Sequence, residues 1–149
     1  MTEFTPPDPA WETKVRDSFS RQGFMRYLHA QLTRVEPGLV EIELPFRAEL
    51  AQQHGYFHAG ATSAVADTAG GYAGYSLFPP GSSVLTVEFK INLIAPAQGE
   101  SLRARAQVIK PGRTLAICDL KVFAISGDRE VLCATGLQTL ICLNEKADG

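Results

Sequence analysis

Cysteine is scarce in this chain, and its placement excludes several common uses of the residue. The 149 residues contain three cysteines, Cys118, Cys133 and Cys142, and no two of them are close enough for a Cys-x-x-Cys metal or redox motif. All three fall in apolar, strand-like runs. Separated thiols in odd number are typical of a reducing compartment, so we expect a cytoplasmic protein without a disulfide or a metal site.

The sequence also lacks a basic stripe and a long apolar run. Lys and Arg number 14 against 16 Asp and Glu, which gives a net charge of −2, and the basic residues are scattered. Without a basic stripe, nucleic acid is not an expected partner. No window approaches the length of a membrane-spanning helix, and residues 1–9 are polar and proline-rich rather than a signal peptide. We therefore expect no membrane partner.

The chain is long enough for one domain with a substantial core. We expect a single domain over residues 1–149, with a loose N-terminal tail over residues 1–9. Apolar residues at helical spacing predict a short amphipathic helix over residues 11–19, and a second helical piece follows at residues 24–28. Alternation of apolar residues with glutamates then predicts a strand over residues 38–44, which Pro45 ends.

A long helix and four further strands are predicted after this strand. Residues 59–77 lack proline and are rich in alanine and glycine, which predicts one helix about 27 Å long at 1.5 Å per residue. Its glycines cost helix propensity, so we expect another backbone to approach them closely. The strands are predicted over residues 85–93, 102–108, 114–125 and 131–143. Short turns between consecutive strands favour an antiparallel sheet, and hence an α+β fold with one main helix.

One charged residue, Asp67, lies between Glu49 and Glu88. A lone carboxylate in an apolar segment is costly to bury unless another group pairs with it or uses it, and catalytic carboxylates are often placed this way. The alternative is an aspartate on the exposed stripe of an ordinary helix. Asp67 is therefore the first candidate for a catalytic residue.

The residues before Asp67 carry a family resemblance. The pattern Gly55-x-x-His58-Ala59-Gly60, followed by Asp67, resembles the G-x-x-H-G-G…D signature of the hotdog-fold thioesterases, specifically the PaaI-like (phenylacetic acid degradation) branch. The runs at residues 86–97 and 112–113 also resemble this family, and the likeness covers about residues 37–143. It implies a hotdog fold, in which an antiparallel sheet wraps around one long central helix. It further implies hydrolysis of an acyl-CoA to a free acid and CoA, with no separate cofactor.

The chemistry of a thioester suggests roles for five residues. The N–H groups at a helix start suit a developing oxyanion, and Ala59 or Gly60 can supply them. Asp67 then acts as general base on water or as nucleophile, and both routes stay open. Gln52, at a position where the family often has asparagine, is a candidate for holding the water. The resemblance implies that the hydroxyl of Thr86 lies near the reacting centre.

Six further residues have a functional and an ordinary interpretation. His58 is either a catalytic base or, as we favour, a residue at the mouth of the helix with a structural hydrogen bond. Tyr56 and Phe57 either line an acyl pocket or belong to the core. The phosphates of CoA need positive charge, and the candidates, each also explicable as a solvated surface charge, are Lys90, Lys110 and Arg113.

The spacing of Ala59 and Asp67 predicts an oligomer. If the two residues share a helix, eight residues separate them by about 12 Å along its axis, too far for one carbonyl to touch both. We therefore predict an obligate twofold dimer with two interfacial sites, each using Asp67 of one chain and the helix start of the other. The alternatives are a non-catalytic acyl-CoA binding module and, less favoured, a hotdog hydratase or dehydratase, whose D-x-N-P-x-H pattern is absent.

Overall fold

A computed structural model describes residues 3–144, which form three α-helices, a short 3-10 helix and six strands. The strands make one antiparallel sheet in the order β1-β2-β4-β5-β6-β3. The predicted α+β fold, an antiparallel sheet around one long helix, is confirmed. In chain order the elements are α1 (Trp11–Ser20), α2 (Gly23–Leu28), β1 (Gln31–Glu36), β2 (Leu39–Pro45), the 3-10 helix (Ala48–Leu50), α3 (Ala59–Tyr75), β3 (Ser83–Leu93), β4 (Ser101–Lys110), β5 (Leu115–Ser126) and β6 (Arg129–Leu143).

Helix α3 fills the space against one face of the sheet and contacts strands β2 to β6. Its small residues let the sheet approach on several sides, and Val65, Ala69 and Ala73 are fully buried. On β4 and β5, every second residue points at the helix and is buried, as in the β4 stripe from Leu102 to Val108. The hydrophobic core therefore lies between α3 and the sheet. No helix within residues 3–144 combines the length and apolarity needed to cross a bilayer.

Two glycines of α3 set how closely the sheet approaches. A Cβ atom built on Gly74 would lie 2.3 Å from Cδ1 of Leu140, and one built on Gly70 would lie 1.6 Å from Oε1 of Gln138. The sheet does approach these glycines closely, as expected, but the atoms that need the space are side chains of β5 and β6 rather than backbone, since Cδ2 of Leu120 also lies 2.9 Å from the Cβ built on Gly70. Gly71, between them, faces no atom within 4 Å.

Strand β1 has no counterpart among the strands predicted from the sequence. Its register with β2 shifts between Leu32 and Arg34, and this bulge breaks the alternation of apolar and polar residues that identifies the other strands. The strand is joined to β2 by a tight turn in which Gly38 adopts a φ of +75°, a conformation that favours glycine.

The N-terminal segment is packed from Phe4 onward rather than loose. Phe4 packs against the core, and Asp8 is buried with its Oδ2 3.1 Å from Nζ of Lys14. Burial raises the pKa of Asp8, but the Ala10 N–H and the Lys14 ammonium outweigh it and hold that pKa below its ordinary value. The rest of the predicted tail, residues 1 and 2, lies outside the described residues.

The glycine contacts predict opposite effects of two substitutions on the same helix. Gly74→Ala should lower the free energy of unfolding by about 1–3 kcal/mol, because the new methyl group overlaps Leu140 in a packed core. Gly71→Ala is the matched control and should raise it by about 0.5–1 kcal/mol, because alanine favours the helix and meets no neighbour. Urea unfolding measures both, and equal changes would contradict the packing described.

Candidate active site

Asp67 lies on α3 in the wall of a cleft of about 400 Å³. Its carboxyl group is half-buried, and Oδ1 accepts two hydrogen bonds, from Oγ1 of Thr86 at 2.6 Å and from Nε2 of Gln138 at 2.7 Å. Within residues 3–144, no hydrogen bond reaches Oδ2. Residues from α1, α2, α3 and β3 form the rest of the cleft, among them Gln22, Phe24, Thr68, Tyr72 and Leu85. One oxygen of Asp67 is thus held by the protein, and the other is left for a ligand.

Gln138 is not among the site residues predicted from the sequence. It lies on β6, is 1% exposed, and its Nε2 also donates to Oγ1 of Thr86 and to the backbone oxygen of Asp67, both at 3.1 Å. Its position offers the signal that would have found it. A glutamine interrupts the otherwise small or apolar stripe of β6 that points at α3, made of Ala134, Gly136, Leu140 and Cys142.

The start of α3 opens on a second cleft, also of about 400 Å³. This cleft has no lining residue in common with the cleft that contains Asp67. The predicted site residues therefore fall into two groups within one chain, as their separation along α3 requires. Asp67 and Thr86 belong to the first cleft, and the second is lined by Gln52, Tyr56, Phe57, His58 and Ala59.

His58 caps the helix at the second cleft. Its Nδ1 accepts a hydrogen bond from the backbone N–H of Gly60 at 2.7 Å, so this nitrogen carries no proton and the amide of Gly60 is engaged. The prediction of Gly60 as an oxyanion donor is therefore wrong, because its N–H is already used. The N–H of Ala59, by contrast, donates to no acceptor within residues 3–144. The structural role favoured for His58 is the one observed, and the catalytic-base interpretation has no contact to support it.

Gln52 and its neighbours shape the loop before the helix. Oε1 of Gln52 accepts from the N–H of His54 at 2.6 Å and from the N–H of Tyr56 at 3.3 Å, which orders the turn. The side-chain NH₂ group of Gln52 has no partner in the described part of the chain and is free to donate into the cleft. Phe57 is buried against Phe46, with ring centroids 5.2 Å apart, so it is a core residue as well as a wall.

The three cations proposed for CoA do not lie together. The β3–β6 register shifts between Thr86 and Glu88, and this bulge turns Lys90 to the face of the sheet opposite Asp67, where it pairs with exposed Leu137. Lys90 therefore lines neither cleft.

Lys110 and Arg113 lie instead on the exposed β4–β5 connection. This connection is at the end of the sheet that contains the Asp67 cleft. Leu115 pairs with Ile141, and Ile141 pairs with Leu85, which lines that cleft. Neither cation lines the Asp67 cleft, but both lie at the same end of the sheet as this cleft.

The cysteines offer no nucleophile. Cys133 lines the second cleft but is 1% exposed, and burial raises the pKa of its thiol. Burial likewise raises the pKa of Cys118 to about 12. All three cysteines are free thiols. Among residues 3–144, no three His, Cys, Asp or Glu side chains cluster in a way that suits a metal ion.

The fold and the two clefts define a class of protein: an antiparallel sheet wraps one helix that carries a carboxylate and starts with a free N–H, as in the hotdog thioesterases. The chain belongs to the thioesterase superfamily, whose family model matches residues 54–131. The predicted hotdog thioesterase family is thereby confirmed.

Similar proteins agree with this assignment. The crystal structure of a thioesterase family protein from Silicibacter pomeroyi is 46% identical, with a TM-score of 0.88 over 90% of this chain and 98% of that one. The proofreading thioesterase EntH of Klebsiella pneumoniae is 27% identical over 88% of this chain and 98% of its own. The E. coli PaaI protein shares the fold, at 17% identity and a TM-score of 0.82 over 92% and 96% of the two chains. The thioesterase names among these relatives support thioester hydrolysis as the reaction class.

The cap of α3 predicts a difference between two neighbouring histidines. His58→Ala should lower the free energy of unfolding by about 1 kcal/mol, because the N–H of Gly60 loses its acceptor. His58→Asn should keep most of the stability, since asparagine is a good N-cap residue. His54→Ala is the control and should change little, because His54 is exposed in the adjacent loop. Denaturant unfolding of the three variants measures this, and equal losses at the two histidines would refute the cap.

Proposed function

We propose that this protein hydrolyses an acyl-CoA thioester to a free acid and CoA, with Asp67 as base or nucleophile and the N–H of Ala59 as oxyanion donor. The observation that carries the proposal is the state of the Asp67 carboxylate. Two donors hold Oδ1, while Oδ2 faces an open cleft without a protein partner among the described residues. Membership of the thioesterase superfamily supports the reaction class.

Both routes through Asp67 use the free oxygen. As a base, one carboxylate oxygen takes a proton from water, the water oxygen bonds to the thioester carbon, the C–S bond breaks, and the leaving CoA thiolate takes that proton from Asp67, which restores the carboxylate. As a nucleophile, Oδ2 itself bonds to that carbon and expels the thiolate, and water then hydrolyses the resulting anhydride. Either way the carbonyl oxygen becomes negative and needs a donor.

The start of α3 is suited to be that donor. The N-terminus of a 17-residue helix carries a positive partial charge, and the amide of Ala59 points out of it without an acceptor in the described chain. The free NH₂ group of Gln52 lines the same cleft and is our candidate for a second donor or for holding the attacking water.

The shape of β3 supports a dimer that unites the clefts. This strand is at the edge of the sheet and exposes large apolar side chains, which an edge in water usually avoids: Leu85, Val87, Phe89 and Leu93. Antiparallel pairing of two β3 strands centred on Glu88 would set Ser83 opposite Leu93 of a second copy. Residues 84–86 line the Asp67 cleft and Leu93 lines the Ala59 cleft, so this pairing brings the two half-sites together.

The hydratase interpretation receives no support from the site. That chemistry needs a histidine placed with a carboxylate, and within one chain no histidine side chain among residues 3–144 forms a hydrogen bond or ion pair with Asp67; His58, which the proposed dimer would bring toward Asp67 of the other copy, has its Nδ1 engaged by the Gly60 N–H. The non-catalytic binding module differs from the proposal only in turnover, so the test of Asp67 also decides it.

Removing the charge of Asp67 should abolish most turnover. With a panel of acyl-CoAs and detection of free thiol, Asp67→Asn should reduce kcat by about 10²–10⁴-fold, the contribution typical of a general base. Asp128→Asn, in an exposed turn, is the matched control and should leave the rate unchanged. Thiol release unaffected by Asp67→Asn would remove this residue from the mechanism. Acyl-CoA binding without any release by the wild-type protein would favour the binding module.

Mixing two inactive variants tests the shared site. Ala59→Pro removes the free N–H at the first helical position, where proline is well tolerated, and should reduce kcat by about 10²–10³-fold. Unfolded and refolded together in equal amounts, Ala59→Pro and Asp67→Asn chains should recover about one quarter of wild-type activity, because half the dimers are mixed and each has one intact site. No recovery would mean that each site is built from one chain.

A further inference from the structure

We propose that Gln138 is a positioning residue for the reaction: it fixes the plane of the Asp67 carboxylate and so keeps one of its oxygens directed into the cleft as the reacting oxygen. The inference rests on the proposed function of Asp67. Gln138 itself is 1% exposed and lies behind Asp67 and Thr86, so it acts through these two residues rather than on the substrate.

The orientation of the Gln138 amide is determined by its surroundings. Its Nε2 lies 3.1 Å from the backbone oxygen of Asp67, which can only accept a hydrogen bond. A flipped amide would point Oε1 at this oxygen and at the carboxylate, so that three acceptors face one another. The two hydrogens of Nε2 are therefore directed at Asp67 and Thr86.

This arrangement gives the hydroxyl of Thr86 a single direction. Because Nε2 of Gln138 donates to Oγ1 of Thr86, that oxygen has its own hydrogen left to give, and it donates to Oδ1 of Asp67 at 2.6 Å. Oδ1 then has two donors, Nε2 of Gln138 and the hydroxyl of Thr86, and Gln138 orients the second of them. A carboxylate rotated part of the way would lose both bonds, and exchange of its two equivalent oxygens restores the same arrangement, so the plane of the carboxylate is fixed with one oxygen facing the cleft.

The fold accepts an unfavourable contact to keep this amide in place. Oε1 of Gln138 is buried without a hydrogen-bond partner within residues 3–144, an arrangement that costs stability. The space for it exists because Gly70 has no side chain, since a Cβ there would lie 1.6 Å from Oε1. An apolar residue at position 138 would avoid the cost, so the glutamine is better explained by the site than by the core.

A nearly isosteric apolar substitution separates the two explanations. Gln138→Met should reduce kcat by about 10–100-fold with little change in KM, because the carboxylate loses its fixed orientation and not its substrate contacts. The melting temperature should hold or rise, because a buried unpaired carbonyl is removed. Gln107→Met, a strand glutamine on the opposite face of the sheet, is the control and should change neither kcat nor KM.

A double-mutant cycle shows whether Gln138 works through Asp67. In the Asp67→Asn background, Gln138→Met should cause no further loss of residual thiol release, because there is no carboxylate left to orient. A structural role would reduce the rate by the same factor in both backgrounds. If the methionine variant does not fold, Gln138→Leu serves in the same cycle, and a crystal structure of either variant should show the Asp67 carboxylate rotated.

The outcomes distinguish this inference from the function on which it rests. Loss of turnover in Asp67→Asn together with normal kcat in Gln138→Met overturns the role of Gln138 and leaves the proposed function intact. A fall in melting temperature that accompanies the fall in kcat of Gln138→Met also overturns it. So does full additivity of Gln138→Met and Asp67→Asn in the double-mutant cycle. Normal turnover in Asp67→Asn overturns the proposed function itself, and the positioning role is lost with it.

Discussion

The close approach of α3 to the sheet is the constraint on which the site depends. Gly70 and Gly74 let β6 press its side chains against the helix, and this brings the amide of Gln138 within 2.7 Å of Asp67. The same proximity lets Thr86, on the neighbouring strand, reach the same oxygen. The close packing of α3 on the sheet is therefore also what brings the polar groups of the site together. Bulkier residues in place of Gly70 and Gly74 would separate the Asp67 carboxylate from both of its donors.

The rigid length of α3 imposes the second condition. An acid at Asp67 and an amide at Ala59 are held apart by more than two helical turns, and no side-chain rotation closes that distance. The edge strand β3 borders the Asp67 cleft at its start and the Ala59 cleft at its end. Its exposed apolar residues suit it to meet a second copy of itself. The two ends of one strand thus border the two clefts that the helix holds apart.

Much of this could be predicted from the sequence because local patterns carried it. Regular alternation identified β2 to β6, and the lone charge of Asp67 in an apolar segment identified the residue that the structure holds with two donors. The features that were not predicted from the sequence depend on strand register or on side-chain geometry. A bulge hid β1, and another, beside Val87, moved Lys90 to the far face. The interrupted stripe of β6 marks Gln138 as unusual in the sequence, but its partnership with Asp67 becomes visible only once β6 is known to pack against the helix.

The occupied amide of Gly60 has a consequence for how the motif tolerates change. With His58 bound to that amide, the helix offers one open donor, and this donor belongs to the main chain of Ala59. Main-chain chemistry is identical in nineteen of the twenty standard amino acids, since proline alone lacks the hydrogen. Alanine in place of the first glycine of the motif therefore leaves the main-chain donor at residue 59 unchanged, whereas the cap at the adjoining position depends on the side chain of His58.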